Sequence, residues 1–244
     1  MSSAPYYQDD LAWVHHVGYR QLAERSAPGI LALLEQAGLG RGASVLDVGC
    51  GSGRLAGALA DAGYHVLGVD ASPAMVELAR SHAPRARFEV RSLPTGRPGA
   101  LPPADAVVST GHVLNYLDSP GDVAASLREV AAAVRPGGLL ALDVMTERFA
   151  LARERSTHAR VEDDWVIVTR DSRPGPRRLH RRITIFRRVG DVWRRKDEHH
   201  RNVTCEPAEA LAILAACGIS AEERASFGKE PTLEGLAVLV GVRR

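Results

Sequence analysis

Cysteine is scarce: Cys50, Cys205 and Cys217 are the only three in 244 residues. No two of them form a CxxC pair or any metal-ligand spacing, so neither a disulfide scaffold nor a bound metal is expected. So odd and sparse a count fits a reducing cytoplasm. Long apolar runs are also missing. None is long enough to span a bilayer, and Met1 to Asp10 lacks the basic start and apolar stretch of a signal peptide. The expectation is a soluble cytoplasmic protein with no membrane partner. Charge is not in excess of either sign: the formal net charge is +2, which gives no reason in itself to expect nucleic acid or an anionic surface. There is no internal repeat and no low-complexity linker.

What is present is the composition of an ordinary globular enzyme, 45% hydrophobic and 25% charged with only 5% aromatic residues. The apolar share is mostly Ala, Val and Leu, as expected of helices packed on a buried sheet. The length suits one large α/β domain and is too short for two full ones. Charge is unevenly distributed, with roughly half of the 31 lysines and arginines between Arg153 and Arg201. Two readings stand for that cluster: exposed strands with solvated arginines, or a basic wall facing an anionic or phosphorylated substrate.

Hydrophobic periodicity predicts one or two helices from Asp9 to Ala37, broken at Pro28-Gly29. Short apolar runs predict strands at Ala43 to Val48, His65 to Val69, Arg87 to Val90, Ala104 to Ser109 and Gly138 to Val144. Between them Arg54 to Ala62, Ser72 to His82 and Pro120 to Val134 read as helices. Ser72-Pro73 supplies an N-cap followed by Pro at the first helical position. Strand and helix alternating at this spacing means a parallel sheet covered on both faces. From Arg160 the rhythm changes: Val161 to Arg170, Arg178 to Arg188 and Val192 to Thr204 read as three antiparallel strands joined by tight turns. A helix at Pro207 to Cys217 and a strand at Leu236 to Val242 close the chain.

The most informative segment is Val45-Leu46-Asp47-Val48-Gly49-Cys50-Gly51-Ser52-Gly53. A strand delivers the chain to a glycine turn, and the helix from Arg54 points unpaired N–H groups at whatever lies over the loop. A glycine triplet alone is weak evidence, and Arg54 stands where a dinucleotide fingerprint has its third glycine. Asp70 ends the second strand about twenty residues later, where a carboxylate can accept both hydroxyls of an adenosine ribose.

Asp47-Val48-Gly49-Cys50-Gly51-Ser52-Gly53 followed by Gly68-Val69-Asp70-Ala71-Ser72 resembles the first two signatures of the class I S-adenosylmethionine-dependent methyltransferases, of the small-molecule type. The likeness continues through Asp105-Ala106-Val107-Val108-Ser109 and Val134-Arg135-Pro136-Gly137-Gly138, covering about Ala43 to Val144. It implies a Rossmann-like, doubly wound, mostly parallel seven-stranded sheet with N-terminal lid helices and an antiparallel β insert. Residues 1–40 would be the lid, 41–150 the cofactor-binding core, 158–205 the insert over the acceptor site and 206–244 the completion of the sheet.

The resemblance also implies site residues. Asp47, Gly49, Cys50 and Gly51 would hold the amino acid end of S-adenosylmethionine, and Asp70 the ribose. Ala71 and Met75 would line the adenine, with Ser92 and Leu93 where the family often has an acidic residue. Ser109 and Thr110 would lie near the methyl end, beside Gly111-His112. An imidazole titrates near neutrality, so His112 is a candidate general base, in a position where similar enzymes often carry Asp. The other reading is that His112 packs over the cofactor and only shapes the pocket. His200 matches a histidine often seen in the covering sheet, and alternation puts Glu198 on its face. Tyr6, Tyr7, Trp13, His15, His16 and Tyr19 resemble a lid whose rings suit a sulfonium, or else belong to an amphipathic helix. Asp143 either contacts the acceptor or caps.

The expected activity is transfer of a methyl group to an oxygen or nitrogen of a small-molecule acceptor, by a monomer or homodimer, with S-adenosylhomocysteine as product. Nucleic acid is not an expected partner, because no nucleic-acid module and no Asn-Pro-Pro-aromatic loop are present. Two rivals remain: a methyltransferase of RNA or another macromolecule, argued only from the arginine-rich insert, and a cofactor-binding protein of the same fold that methylates nothing.

Overall fold

The computed structural model describes residues 6–97 and 99–244, so the reading of the first ten residues lies in part outside the described ones. The chain opens with α1 (Asp9–Gly18) and α2 (Gln21–Gln36). The expected break at Pro28-Gly29 does not occur, and both residues sit inside α2. Tertiary packing overrides the local signal: Ile30 and Leu34 on the same helix are fully buried. Gly29 is needed there because a Cβ would stand 2.6 Å from the backbone of Phe227.

Then come β1 (Ser44–Val48), α3 (Arg54–Asp61), β2 (His65–Asp70), α4 (Pro73–His82), β3 (Arg87–Val90), β4 (Ala104–Ser109), α5 (Pro120–Ala133) and β5 (Val134–Met145). A short 3-10 turn, Val113–Tyr116, lies between β4 and α5. The Ser-Pro starts act as read: the Ser72 hydroxyl accepts from Met75 N at 3.1 Å and that of Ser119 from Asp122 N at 3.1 Å. The glycines after Pro136 form an irregularity in β5, where the register against β4 shifts.

The rest of the chain forms α6 (Glu147–Ala152), β6 (Thr157–Glu162), β7 (Trp165–Ser172), β8 (Arg178–Val189), β9 (Val192–Val203), α7 (Pro207–Ala216), β10 (Ile219–Arg224) and β11 (Leu236–Arg243). The main sheet has seven strands in the order β10-β11-β5-β4-β1-β2-β3, and a second sheet has four in the order β6-β7-β8-β9. The five strands β1 to β5 are parallel, and β11 inserts antiparallel between β5 and β10. This is the doubly wound arrangement the resemblance implies.

The insert has four strands where three are expected. The segment read as one strand, Val161 to Arg170, is two halves of the β6–β7 hairpin, with Glu162 opposite Trp165 across the Asp163-Asp164 turn. β6 is exposed along its whole length, so no alternation marks it out in the sequence. β10 escapes for the same reason, with Ile219 alone buried and the others polar or small at the sheet edge.

Two apolar layers cover the main sheet. On one side Leu34, Leu55, Leu59 and Val76 of α2, α3 and α4 pack on the strands, on the other Leu127, Val130 and Leu214 of α5 and α7. A third cluster joins Leu11 and Val14 of α1 to Trp165, Ile167, Ile183 and Ile185 of the insert. Asn115 ties the 3-10 turn between both sheets: its amide donates to the carbonyls of Met145 at 3.1 Å and Val203 at 2.7 Å, and its Oδ1 accepts from Met145 N at 2.8 Å. Asn115→Ala leaves these buried groups unmet and is expected to cost about 2–4 kcal/mol, read as a lower urea midpoint at unchanged slope.

Candidate active site

The strand order reverses between β1 and β4, and a doubly wound sheet binds its ligand outside the carboxyl ends at such a point. The glycine loop, Asp70 and the segment after β4 meet there. Gly49 is held close to its neighbour, since a Cβ would stand 2.3 Å from Val113. Gly51, at φ +52°, has nothing within 4 Å of where a Cβ would lie, so its backbone faces open space. Asp70 braces the loop: Oδ2 accepts from Gly51 N at 2.9 Å and Oδ1 from Ser72 N at 2.8 Å. Each oxygen keeps a lone pair for a further donor.

Asp47 is 1% exposed, and its Oδ2 has no hydrogen-bond partner. Burial, and secondarily the neighbouring Asp70, push its carboxyl up to about 7. A buried, unpartnered carboxylate beside a glycine loop is a place for a ligand cation. The α-ammonium of S-adenosylmethionine would satisfy that demand, as the ribose hydroxyls would satisfy Asp70, and the residues therefore fit the cofactor. The consequence is a pH dependence. Below pH 7 the ligand must displace the Asp47 proton, so affinity should fall by up to about tenfold per pH unit. Titrations between pH 5.5 and 7.5 in buffers of different ionisation enthalpy should show proton release. In the free protein the sign is opposite: a raised carboxyl pKa means the native state holds the extra proton, so stability falls as pH rises from about 4 to about 7. Asp47→Asn should remove both slopes without unfolding the protein.

The other residues expected at the cofactor differ in what they offer. Cys50 is buried in the apolar layer, with its amide on the Val69 carbonyl at 3.0 Å. Met75 is buried at the start of α4, while Ala71 and Ser92 are exposed and Leu93 half-buried. The Ser109 hydroxyl donates to the Val48 carbonyl at 2.9 Å, fastening β4 to β1 below the site. Thr110 is half-buried beside it.

Beyond the loop, the segment after β4 is held by a residue whose role the sequence leaves open. Asp143 accepts from Gly111 N at 3.1 Å and from His112 N at 2.6 Å. His112 is held at φ +48° and is 8% exposed. Burial, with Arg181 nearby, pushes its imidazole down to about 3, so it is neutral at every ordinary pH.

The insert and the N-terminal segment meet over this end of the sheet. The His200 ring lies 4.6 Å from that of Tyr6, 5.0 Å from Tyr7 and 5.6 Å from Tyr116, and the His112 ring stacks on Tyr116 at 5.5 Å. Glu198 joins the parts. It lies 2.8 Å from His200 Nε2 and accepts from Tyr7 N at 2.8 Å and Gln8 N at 2.9 Å. A carboxylate so engaged can only accept, so His200 carries its proton on Nε2 and presents a bare Nδ1, which is buried and unpartnered. Burial lowers the His200 pKa, and Glu198 opposes that shift.

Three further links were not legible in the sequence. Arg54, read only as an interruption of a glycine pattern, donates to the His16 carbonyl at 2.7 Å through Nη2 and latches α1 to the loop. Asp10, 3% exposed, pairs with Arg187 and Arg194 of the insert. The Ser72 hydroxyl donates to the Tyr7 carbonyl at 2.7 Å. All three need contacts between residues far apart in the chain, which no local pattern reveals.

Residues 45–138 match a family model described as a methyltransferase domain. The chain is 35% identical over 121 residues to a ubiquinone biosynthesis O-methyltransferase of Xanthomonas campestris pv. campestris, a match covering 46% of this chain and 48% of that protein. Among solved structures, an S-adenosylmethionine-dependent methyltransferase from Clostridium acetobutylicum superposes with TM-score 0.81 at 14% identity, over 95% of this chain and 97% of that one. An amino pentose methyltransferase from Micromonospora echinaspora does so with TM-score 0.72 at 24% identity over the whole of both chains. The glycine loop, the acid after β2, the seven-stranded order and these likenesses agree: residues 45–138 carry a methyltransferase domain, and the chain has the Rossmann-like fold of the class I S-adenosylmethionine-dependent methyltransferases.

Proposed function

We propose that the protein methylates an oxygen or nitrogen of a small-molecule acceptor, with His200 as the base and Glu198 as its support. The observation that carries this reading is the bare Nδ1 of His200, buried among Tyr6, Tyr7 and Tyr116 and backed by a carboxylate at 2.8 Å. Held over the loop by Asp47 and Asp70, S-adenosylmethionine would supply an electrophilic methyl group on a sulfonium, with a neutral thioether as the leaving group for the acceptor's lone pair. Asp47 and Asp70 anchor the two ends of the donor, while Gly49, Gly51 and the β4 segment set its depth. His200 Nδ1 accepts the acceptor's proton, and Glu198 stabilises the imidazolium that forms. His112 stays neutral and, held by Asp143, shapes the floor of the acceptor space. The rings of Tyr7 and Tyr116 exclude water and suit a passing cation.

The small-molecule reading draws support from the packing of the N-terminal segment on the insert, where Glu198 accepts from Tyr7 N and Gln8 N and Leu11 and Val14 meet Trp165 and Ile183. The similar proteins named above include one named for O-methylation and one named for an amino sugar. A macromolecular acceptor has one observation in its favour, an exposed outer row of Arg170, Arg182 and His199 across the insert. That row faces away from His200, because neighbouring residues of a strand point to opposite faces. Release of S-adenosylhomocysteine on addition of hydroxy- and amino-substituted small molecules tests the reading. Turnover only with RNA or protein, steeply weakened by salt, would replace it.

A further inference from the structure

We propose that Arg181, with Arg153 across the same group of rings, binds an anionic oxygen group of the acceptor, a carboxylate or a phosphoryl group. This deepens the methyl-transfer reading and rests on it. The register of the insert sets Asp171, Arg181 and His200 side by side in one row across β7, β8 and β9. The same alternation turns all three inward: the side chains of Asp171 and His200 are 0% exposed and that of Arg181 is 21% exposed. Arg181 is thus the neighbour of the proposed base, on the face that meets Tyr7 and Tyr116.

Its guanidinium is engaged on one side only, by an ion pair with Asp171. Nε pairs with Asp171 Oδ1 at the long distance of 3.5 Å, and among the described residues none accepts from either terminal nitrogen. Other arginines of this basic stretch are engaged: Arg187 and Arg194 with Asp10, Arg173 with Glu147, Arg188 with Asp164. Arg153, unlike Arg181, has no ion pair among the described residues. Its guanidinium lies 3.5 Å from the centre of the Phe149 ring, which is 5.6 Å from that of His112.

Two guanidinium groups therefore share this region, and Asp171 is the carboxylate in contact with one of them. The surrounding imidazoles do not add compensation. Burial chiefly, and Arg181 after it, hold His15 down to about 4 and His112 down to about 3 and lower the pKa of Arg153 as well. Half-buried cations with free donors favour an incoming anion, and a guanidinium fork matches the paired oxygens of a carboxylate or phosphoryl group. An acceptor so held would present its nucleophile to His200, one strand away. The basic wall read from composition is mostly turned outward or internally paired, and these two residues are its inward part.

The test uses the full chain saturated with S-adenosylhomocysteine, titrated calorimetrically with inorganic phosphate and, separately, with succinate. The expected result is saturable binding of at least one anion, weakened tenfold or more by Arg181→Gln, less by Arg153→Gln and unchanged by Arg182→Gln on the outer face. Tighter phosphate binding assigns a phosphoryl group, tighter succinate binding a carboxylate. Failure of the saturated wild-type protein to bind either anion overturns the proposal without reliance on any variant, as does equal binding by a folded Arg181→Gln protein. Failure to bind S-adenosylhomocysteine in the first place would strike the methyl-transfer reading instead, so the two failures are distinct.

Discussion

Asp70→Ala is expected to weaken binding of S-adenosylmethionine and S-adenosylhomocysteine by at least about 100-fold while leaving the fold intact. Two losses combine. The ribose hydroxyls lose a charged acceptor, where hydrogen bonds contribute about 1.5–3 kcal/mol each. The loop loses its brace as well, because the same carboxylate accepts from Gly51 N and Ser72 N. Burial raises the Asp70 pKa despite those bonds, so removing the carboxyl relieves a desolvation cost in the free protein. The variant should therefore unfold at a urea midpoint near that of the wild type. Asp70→Asn separates the two losses, since one amide oxygen can still brace part of the loop. Calorimetry beside urea unfolding measures both effects. A tenfold effect or less in Asp70→Ala would mean that the ribose is held elsewhere.

The second large effect concerns His200 and Glu198. His200→Ala should lower kcat by about 10²–10⁴-fold, the range for loss of a positioned base, with little change in affinity for S-adenosylhomocysteine. Glu198→Gln should lower it less, by about tenfold to 100-fold, because an amide still accepts from the imidazole but cannot stabilise the imidazolium. The pH profile carries the sign. His200 acts as a base only when neutral, and burial lowers its pKa. In wild-type protein kcat should be flat above the ordinary imidazole range and fall only on the acid side of it. His112→Ala should instead act through acceptor KM. If His112→Ala abolishes turnover while His200→Ala is active, the two histidines exchange roles.

The geometry of the glycine-loop half of the candidate site was legible because it is local. A strand, three glycines and an acid at the end of the next strand lie within about 25 residues, and the backbone of Gly51 and the carboxylate of Asp70 need only that segment to meet. The parallel strands were equally plain, since β1 and β4 are short apolar runs buried on both faces. The acceptor half was only partly legible. Alternation placed Glu198 and His200 on one face, which the structure bears out, but nothing in the chain says that Glu198 also receives the amides of Tyr7 and Gln8, some 190 residues away. The continuous helix through Pro28-Gly29 and the exposed strand β6 fail for a related physical reason. The first is held by tertiary contacts stronger than its local preference, and the second is an exposed strand that buries nothing to leave a pattern.

Calorimetric titration of the wild-type chain with S-adenosylhomocysteine at pH 6 and pH 7.5 tests the central claim most directly. One site per chain, binding several-fold to tenfold tighter at the higher pH with proton release at the lower, is the predicted result, because the ligand's ammonium must meet an ionised Asp47. Absence of binding by well-folded protein at both pH values would contradict the assignment of this loop as a methyl-donor site.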